Sequence, residues 1–376
     1  MKIVYIVPLL APYAISRFRE LGKYEDVELH VIVEKDTYEE RTGWKYQKIK
    51  GVHTYLLNGK VHSYSVEHKK SGYAIDNAHM YSKGLRRLIN RINPDICIVC
   101  NSTQLLSLLG PRKYKVGVVV EDTLRAEEGR KKINRIIKKI LLKSADVYFP
   151  YSKDAMNFLK KNGIEKRCYP SSWSIGESFF EKKDNDVKKL KKDFRLESSK
   201  KIYTIVSALI PRKGIKQFIE AWKNMPNSFL DCTELHILGN GPLKDELEYS
   251  VKEYGLEHSI VFRGNLPYTD VADFLSCTDV FVLPTLEDLC SLAVFEAVAS
   301  GLPVMTTIYN GARDLVHEGV NGYVFDPEDK NSIVEALNKI NKSDLRAMSE
   351  ASKKISKKYT DEEVMFDFYQ TLKEII

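Results

Sequence analysis

Twice along this chain, short apolar strand-like runs alternate with helix-like segments, and no other feature restricts the fold as strongly. The first round runs KIVYIV (2–7), a helix from Ser16 to Lys23, VELHVIV (27–33), helical GLRRLINRI (84–92), DICIVC (95–100), VGVVV (116–120) and ADVYFPYS (145–152). The second runs IYTIVSAL (202–209), helical IKQFIEAW (215–222), ELHILG (234–239), helical LKDELEYSVKEYG (243–255), IVFRG (260–264), helical TDVADFLSC (269–277) and DVFVLP (279–284), then PVMTT, a turn HEGVNGYVF and helical NSIVEALNKI. Strands separated by helices pair in parallel, so each round predicts a doubly wound α/β sheet. At 376 residues the chain exceeds one ordinary core. We therefore expect a domain over 1–180, a linker over 181–200 and a domain over 201–359, with a cleft between the two domains. The linker is read from EKKDNDVKKLKKDFRLESSKK, which is charged and nearly devoid of core residues. A last helix, 360–376, follows a Lys-rich connection and is expected back on the first domain. The stretch 38–71, rich in Tyr, Lys and His, reads as a less regular insertion.

Hydrophobic residues make up 43% and aromatics 10%, as in globular proteins that live in water, and no apolar run approaches the roughly 20 residues of a membrane span. The opening MKIVYIVPLL is broken by Pro8 and reads as a first buried strand rather than a signal peptide. Six scattered cysteines (Cys97, Cys100, Cys168, Cys232, Cys277, Cys290) show neither disulfide density nor zinc spacing, which points to a reducing cytoplasm. Cys97 and Cys100 lie three apart in a strand and face opposite sides, as small buried hydrophobes do.

The net charge of +7 is concentrated. Arg130, Lys131, Lys132, Arg135, Lys138, Lys139 and Lys143 interleave with Ile133, Ile136, Ile137, Ile140 and Leu141 at helical spacing. The pattern predicts an amphipathic helix with its isoleucines on the core and a basic outer face. That face is either simply solvated or meets anionic lipid headgroups, which makes the protein peripheral on the inner face of the cell membrane. No nucleic-acid module accompanies it.

The chemistry concentrates between Pro284 and Val304, PTLEDLCSLAVFEAVASGLPV. A strand closes on Pro284, two acids follow, Ser291 is placed to cap a helix, and Leu292 to Ser300 is apolar at helical spacing before Gly301 and Pro303 end it. A helix start behind a parallel strand offers free N–H groups to a phosphate. Carboxylates beside it suit the paired hydroxyls of a sugar or ribose. Phosphate flanked by diols describes a sugar nucleotide.

These residues resemble the family-4 retaining glycosyltransferases, whose GT-B architecture sets two Rossmann-like domains across a central cleft. The markers, in the family's order, are VSALIPRKG (206–214), LGNGP (238–242), VFRGNLP (261–267), LPTLEDLCSLAVFEAVASGLPV (283–304) and VHEGVNGYVFDP (316–327). They cover the second domain fully and the first faintly. The resemblance implies that Glu296 holds the nucleotide ribose and that Asp288, or its neighbour Glu287, meets a hydroxyl of the donor sugar. It gives Lys213 to the pyrophosphate, together with the N–H groups of Ser291 and Leu292, with no metal required. Ala208 stands where the family has an arginine, and Arg212 is the cation placed to substitute. Gly239 and Gly241 resemble the turn beside the nucleotide, and the backbone of Asn265 and Leu266 the segment facing the base. In the first domain, Leu10 to Tyr13 replaces the family's glycine-rich loop. Arg17 and Arg19 follow on the next helix, and Glu121 and Asp122, at a strand end, take the place of a family histidine; one of the two acids is expected to touch acceptor or donor sugar. Asp184-Asn185-Asp186 copies a metal-binding D-x-D, but in a Lys-rich stretch away from any strand end, so no metal is assigned to it.

The expected activity is therefore retaining, metal-independent transfer of a hexosyl unit from a UDP- or GDP-sugar to a hydroxyl of a glycan or lipid-linked glycan, in polysaccharide or glycoconjugate assembly. Two alternatives share the layout: a sugar-nucleotide 2-epimerase, and a nucleotide-sugar-binding subunit without turnover.

Overall fold

The computed structural model describes residues 1–37, 45–68, 72–180, 184–197 and 199–376, apart from the side chains at 76, 77, 184 and 185. In the first sheet β1 (Lys2–Val7), β2 (Glu28–Val33) and β3 (His53–Leu56) are followed by a separate two-stranded sheet of β4 (Lys60–His68) and β5 (Tyr73–Tyr81), and then by β6 (Ile96–Val99), β7 (Lys115–Val120) and β8 (Val147–Pro150). The order is β3-β2-β1-β6-β7-β8, every pair parallel. The second sheet repeats it with β9 (Lys201–Val206), β10 (Thr233–Leu238), β11 (Ile260–Gly264), β12 (Val280–Leu283), β13 (Val304–Thr307) and β14 (Gly322–Phe325), in the order β11-β10-β9-β12-β13-β14. Its pairs are all parallel as well. Both are the doubly wound Rossmann order, so the fold class is the α/β class that the alternation predicted.

Strands such as VFVL and ICIV are apolar without alternation because helices cover both of their faces. In the second sheet's core Tyr203, Phe218, Trp222 and Phe229 are buried together, with Trp222 edge-on to Tyr203 at 5.2 Å and to Phe229 at 5.0 Å.

The chain forms two compact units: Met1–Lys69, Ala74–Ser174 and Asp361–Ile376, and Lys70–Tyr73 with Ile175–Thr360. The last helix, Asp361–Ile375, lies within the first unit, where Tyr369 stacks on Tyr24 at 3.9 Å and donates to Asp26 at 2.9 Å. The stretch 181–200, expected to be a linker, holds a helix (Asp184–Asp193) inside the second unit. Val187, Leu190 and Phe194 pack there with buried Leu196 against Phe274 and Cys277. Two apolar residues on one side of the helix, with Phe194 and Leu196 just past its end, are enough to dock an element whose other positions are mostly charged.

Local signals account for further differences. The first helix starts at Pro12 rather than Ser16, because proline lacks the N–H that the first turn leaves unbonded anyway. Helices at Ser102–Ser107, Lys153–Lys161 and Leu345–Ser356, not expected from the pattern, are each capped by a side chain, from Asn101, Ser152 and Asp344. The expected insertion over 38–71 lies partly outside the described residues; inside them it supplies β3 and β4.

The basic helix, Lys132–Leu142, is turned the other way from the expectation. Lys138, Leu141 and Leu142 are buried, whereas Ile133, Ile136, Ile137 and Ile140 are exposed. The cause is Lys138: its ammonium pairs with Asp122 and, at 2.7 Å, with Glu127, and sits 5.1 Å from the Phe158 ring centroid. A buried, doubly paired lysine fixes which side of the helix faces inward, since turning it out would break both ion pairs.

Candidate functional site

In both sheets the strand order reverses at one point, between β1 and β6 and between β9 and β12. Loops leaving the carboxyl ends of those strands diverge there and open a crevice suited to ligands. In the second unit, the two loops at the reversal carry Arg212-Lys213-Gly214 after β9 and Thr285-Leu286-Glu287-Asp288 after β12. Their backbones touch. Gly214 has φ 65°, and a Cβ there would lie 2.0 Å from the Pro284 carbonyl oxygen, so only glycine fits. The Leu286 N–H donates to the Arg212 carbonyl at 2.8 Å, and the Thr285 hydroxyl reaches the same oxygen at 3.1 Å.

That contact brings the charges together. The Lys213 ammonium donates to the Asp288 carboxylate, and Arg212 donates to the Glu287 carbonyl at 3.1 Å. Burial pushes the Asp288 carboxyl up, but Lys213, Arg212 and an N–H from Cys290 outweigh it, so Asp288 is held below the usual carboxylate range. Glu287 is buried, and its carboxylate accepts from the hydroxyl of Tyr73, a residue of the same unit, at 2.6 Å. Glu287 and Asp288 are thus already distinct: the acid facing the cation pair is Asp288.

The helix Leu292–Ala299 begins behind these acids with Ser291 at its cap position, though the Ser291 side chain makes no capping bond. Buried Asn310 caps the short turn Gly311–Leu315 and ties it to this helix start. Its side-chain oxygen accepts from Ala312 N–H at 3.0 Å and, more distantly, from Ser291 N–H at 3.4 Å, and its amide donates to Thr306 at 2.9 Å. Thr307 donates to the Thr285 carbonyl at 2.7 Å. The ends of β12 and β13 are thereby cross-linked, and the first turn of the helix is aimed with the loop that carries Asp288. Glu296, one turn further, is buried, and burial pushes its carboxyl up to about 7 against a hydrogen bond from the Tyr268 hydroxyl at 2.9 Å. A carboxyl whose protonation burial shifts toward neutral pH, one turn into a helix that starts at the reversal point, marks a candidate binding site.

The remaining expected residues divide. Gly239 (φ 137°) and Gly241 let the β10 loop lie against the β9 loop: a Cβ on Gly239 would be 1.9 Å from the Ser207 carbonyl oxygen. Asn265 is exposed at the end of β11, while Leu266 packs its side chain on the Phe274 cluster. Ala208 is exposed in the β9 loop. In the first unit Asp122 is engaged by Lys138, so its carboxylate is committed to the fold, and Glu121 directly follows β7 near Cys100, whose thiol is pushed up to about 12 by burial and, after it, by the Glu121 charge. Arg17 is buried against Tyr151 and Trp173 and donates to the Tyr151 hydroxyl at 2.9 Å; Arg19 is exposed. The D-x-D acids open the helix Asp184–Asp193. Among the described residues, the group with metal-compatible spacing is Glu28, His30 and His53 in the first unit, outside this site. Tyr268, Tyr73 and Asn310 went unnoticed in the sequence. Tyr268 directly follows the VFRGNLP marker and Asn310 opens the segment NGARDLV (310–316) between PVMTT and HEGVNGYVF, so position gave a weak hint for both; Tyr73 gave none.

Two doubly wound parallel sheets in tandem, both in Rossmann order, are the GT-B fold class. Residues 186–359 match the family described as "Glycosyl transferases group 1". Among curated relatives, the chain is 31% identical over 138 residues to the UDP-Gal:alpha-D-GlcNAc-diphosphoundecaprenol alpha-1,3-galactosyltransferase of Escherichia coli, covering 36% of this chain and 35% of that protein. It is 26% identical over 222 residues to protein CapJ of Staphylococcus aureus, covering 56% of this chain and 52% of the relative. The chain thus spans between about a third and half of these relatives' lengths. Among solved structures, sucrose-phosphate synthase from Thermosynechococcus elongatus superposes with a TM-score of 0.79 at 15% identity, over 100% of this chain and 99% of that one, a likeness of fold.

Proposed function

We propose that this protein is a retaining, metal-independent hexosyltransferase that uses a nucleoside-diphosphate sugar, UDP or GDP being the nucleotide, and a hydroxyl acceptor on a glycan or lipid-linked glycan. The observation that carries the reading is the Lys213–Asp288 pair at the second sheet's reversal point, just ahead in the chain of the helix that carries buried Glu296. A diphosphate entering there takes over Lys213 and the N–H groups at Leu292, and the fixed cation stabilises the charge that builds on the departing nucleotide. Asp288, released from Lys213, then accepts from hydroxyls of the sugar, and Glu296 accepts from the ribose diol. The anomeric carbon loses its bond to the diphosphate and gains one to the acceptor oxygen, whose proton passes to the departing diphosphate oxygen.

The E. coli relative, whose name specifies a UDP-sugar and a diphosphoundecaprenol-linked acceptor, supports the lipid-linked version of the acceptor. Among the described residues no helix is long and apolar enough to cross a membrane. We place the protein in the cytoplasm, peripheral to the inner face of the membrane, in keeping with six free thiols.

The test is NMR of UDP- and GDP-sugars incubated with the protein, with and without lipid-linked glycan acceptors. Transfer to acceptor, or slow donor hydrolysis without it, is expected. Epimerised donor in the absence of acceptor would instead favour the 2-epimerase, and tight nucleotide binding with no turnover a non-catalytic subunit.

A further inference from the structure

Four isoleucines of the helix Lys132–Leu142 lie open to solvent: Ile133 is 58% exposed, Ile136 45%, Ile137 48% and Ile140 64%. At about 100° per residue they occupy an arc of roughly 100° on one side of the helix. The opposite side, carrying Lys138, Leu141 and Leu142, is the one held in the core. Lys132, Lys139 and Lys143 form a row immediately beside the isoleucine arc, with Arg135 next to it. From Arg130 to Ala145 the sequence contains no acid. Lys132, Arg135, Ile136 and Lys139, together with Asn162, line a shallow depression of about 310 Å³. Leu106, on the neighbouring helix Ser102–Ser107 that packs against this one, and Leu124 just ahead of it are exposed as well.

We propose that this helix is an in-plane membrane anchor: the isoleucine arc enters the headgroup–acyl boundary of an anionic bilayer, and the flanking cations, with the depression between them, receive lipid phosphates. An apolar arc bordered by one sign of charge is the pattern of helices that lie in a lipid interface. A contiguous exposed apolar patch otherwise marks a partner surface. A second copy of this chain is the poorer occupant, because pairing two such faces brings two rows of cations together without an acid between them. Lys138 sets the orientation: its pairing with Asp122 and Glu127 rotates the isoleucines outward. The surface is independent of the transfer chemistry proposed for the second unit.

The experiment is co-sedimentation of the full chain with vesicles of phosphatidylcholine containing about 30 mol% phosphatidylglycerol, and with vesicles of phosphatidylcholine alone. The wild type should partition to the anionic vesicles and release in high salt. The Ile137→Ser/Ile140→Ser variant should lose about twentyfold in partitioning. Lys132→Gln/Arg135→Gln/Lys139→Gln should lose about a hundredfold, the loss confined to anionic vesicles. All five positions lie on the outer side of the helix, so thermal melts and hydrolysis of a soluble donor should be unchanged in both variants. Equal binding to neutral and anionic vesicles overturns the proposal, as does an isoleucine variant that binds like the wild type. Light scattering that shows a dimer dissolved by the isoleucine substitutions overturns it too, assigning the face to a second copy.

Discussion

Replacing Glu296 by glutamine sets binding against stability in one experiment. The Glu296 carboxyl titrates near 7 in the folded protein and near 4.5 ordinarily, so between those pH values the folded state holds the proton that the unfolded chain has released. Stability therefore falls as pH rises through this window, with no penalty below about 4.5 and the full penalty above about 7. The difference, 7 minus 4.5, at 1.36 kcal/mol per pH unit, is about 3 kcal/mol. Glutamine has the same shape, carries no charge, and keeps an oxygen to accept from Tyr268. Glu296→Gln should consequently melt up to about 10 °C higher than the wild type at about pH 8 and at nearly the same temperature at about pH 4.5. The assay is a series of calorimetric or fluorescence melts across that range, paired with titration of UDP and GDP, which the variant should bind about tenfold more weakly for want of one acceptor to the ribose. A melting difference that does not change with pH, or a variant less stable at high pH, would refute the account of this buried charge; unaltered nucleotide affinity would remove Glu296 from the binding site.

Asp288→Asn should separate binding from transfer: freeing Lys213 raises affinity for UDP or GDP about tenfold in calorimetric titration, while transfer from the sugar nucleotide falls. Lys213→Ala should lower kcat by about a hundredfold, with exogenous alkylamine restoring part of it in steady-state assays; a change in KM alone would contradict a role at the leaving group. Gly214→Ala should destabilise the second unit by about 2–4 kcal/mol in urea titrations, because the added methyl meets the Pro284 carbonyl at 2.0 Å.

The parallel sheets were legible because strand identity is carried locally: VFVL and ICIV are apolar at every position, and only a strand covered on both faces tolerates that. The glycines and Lys213 were legible as markers, and their reason became visible only in contacts such as Gly214 against Pro284. Capped helices such as Leu345–Ser356 were missed because a charged surface helix has weak apolar periodicity, although Asp344 was in plain view as its cap. The helix Asp184–Asp193 was missed for the same reason: its docking residues are few, and the partners Phe274 and Cys277 lie some ninety positions away.

By itself the amino-acid order determined the class of fold, the places where loops must be glycine, and which acids and cations stand near strand ends, since each depends on neighbours within one or two turns of chain. Only the tertiary structure decided which charge meets which. Asp288 faces Lys213, Glu296 meets Tyr268, and Lys138 turns inward to Asp122 and Glu127, forcing four isoleucines out. A side chain's charge state and direction follow from desolvation and from partners that are distant in sequence, and helical periodicity alone cannot say which of two faces the core will accept.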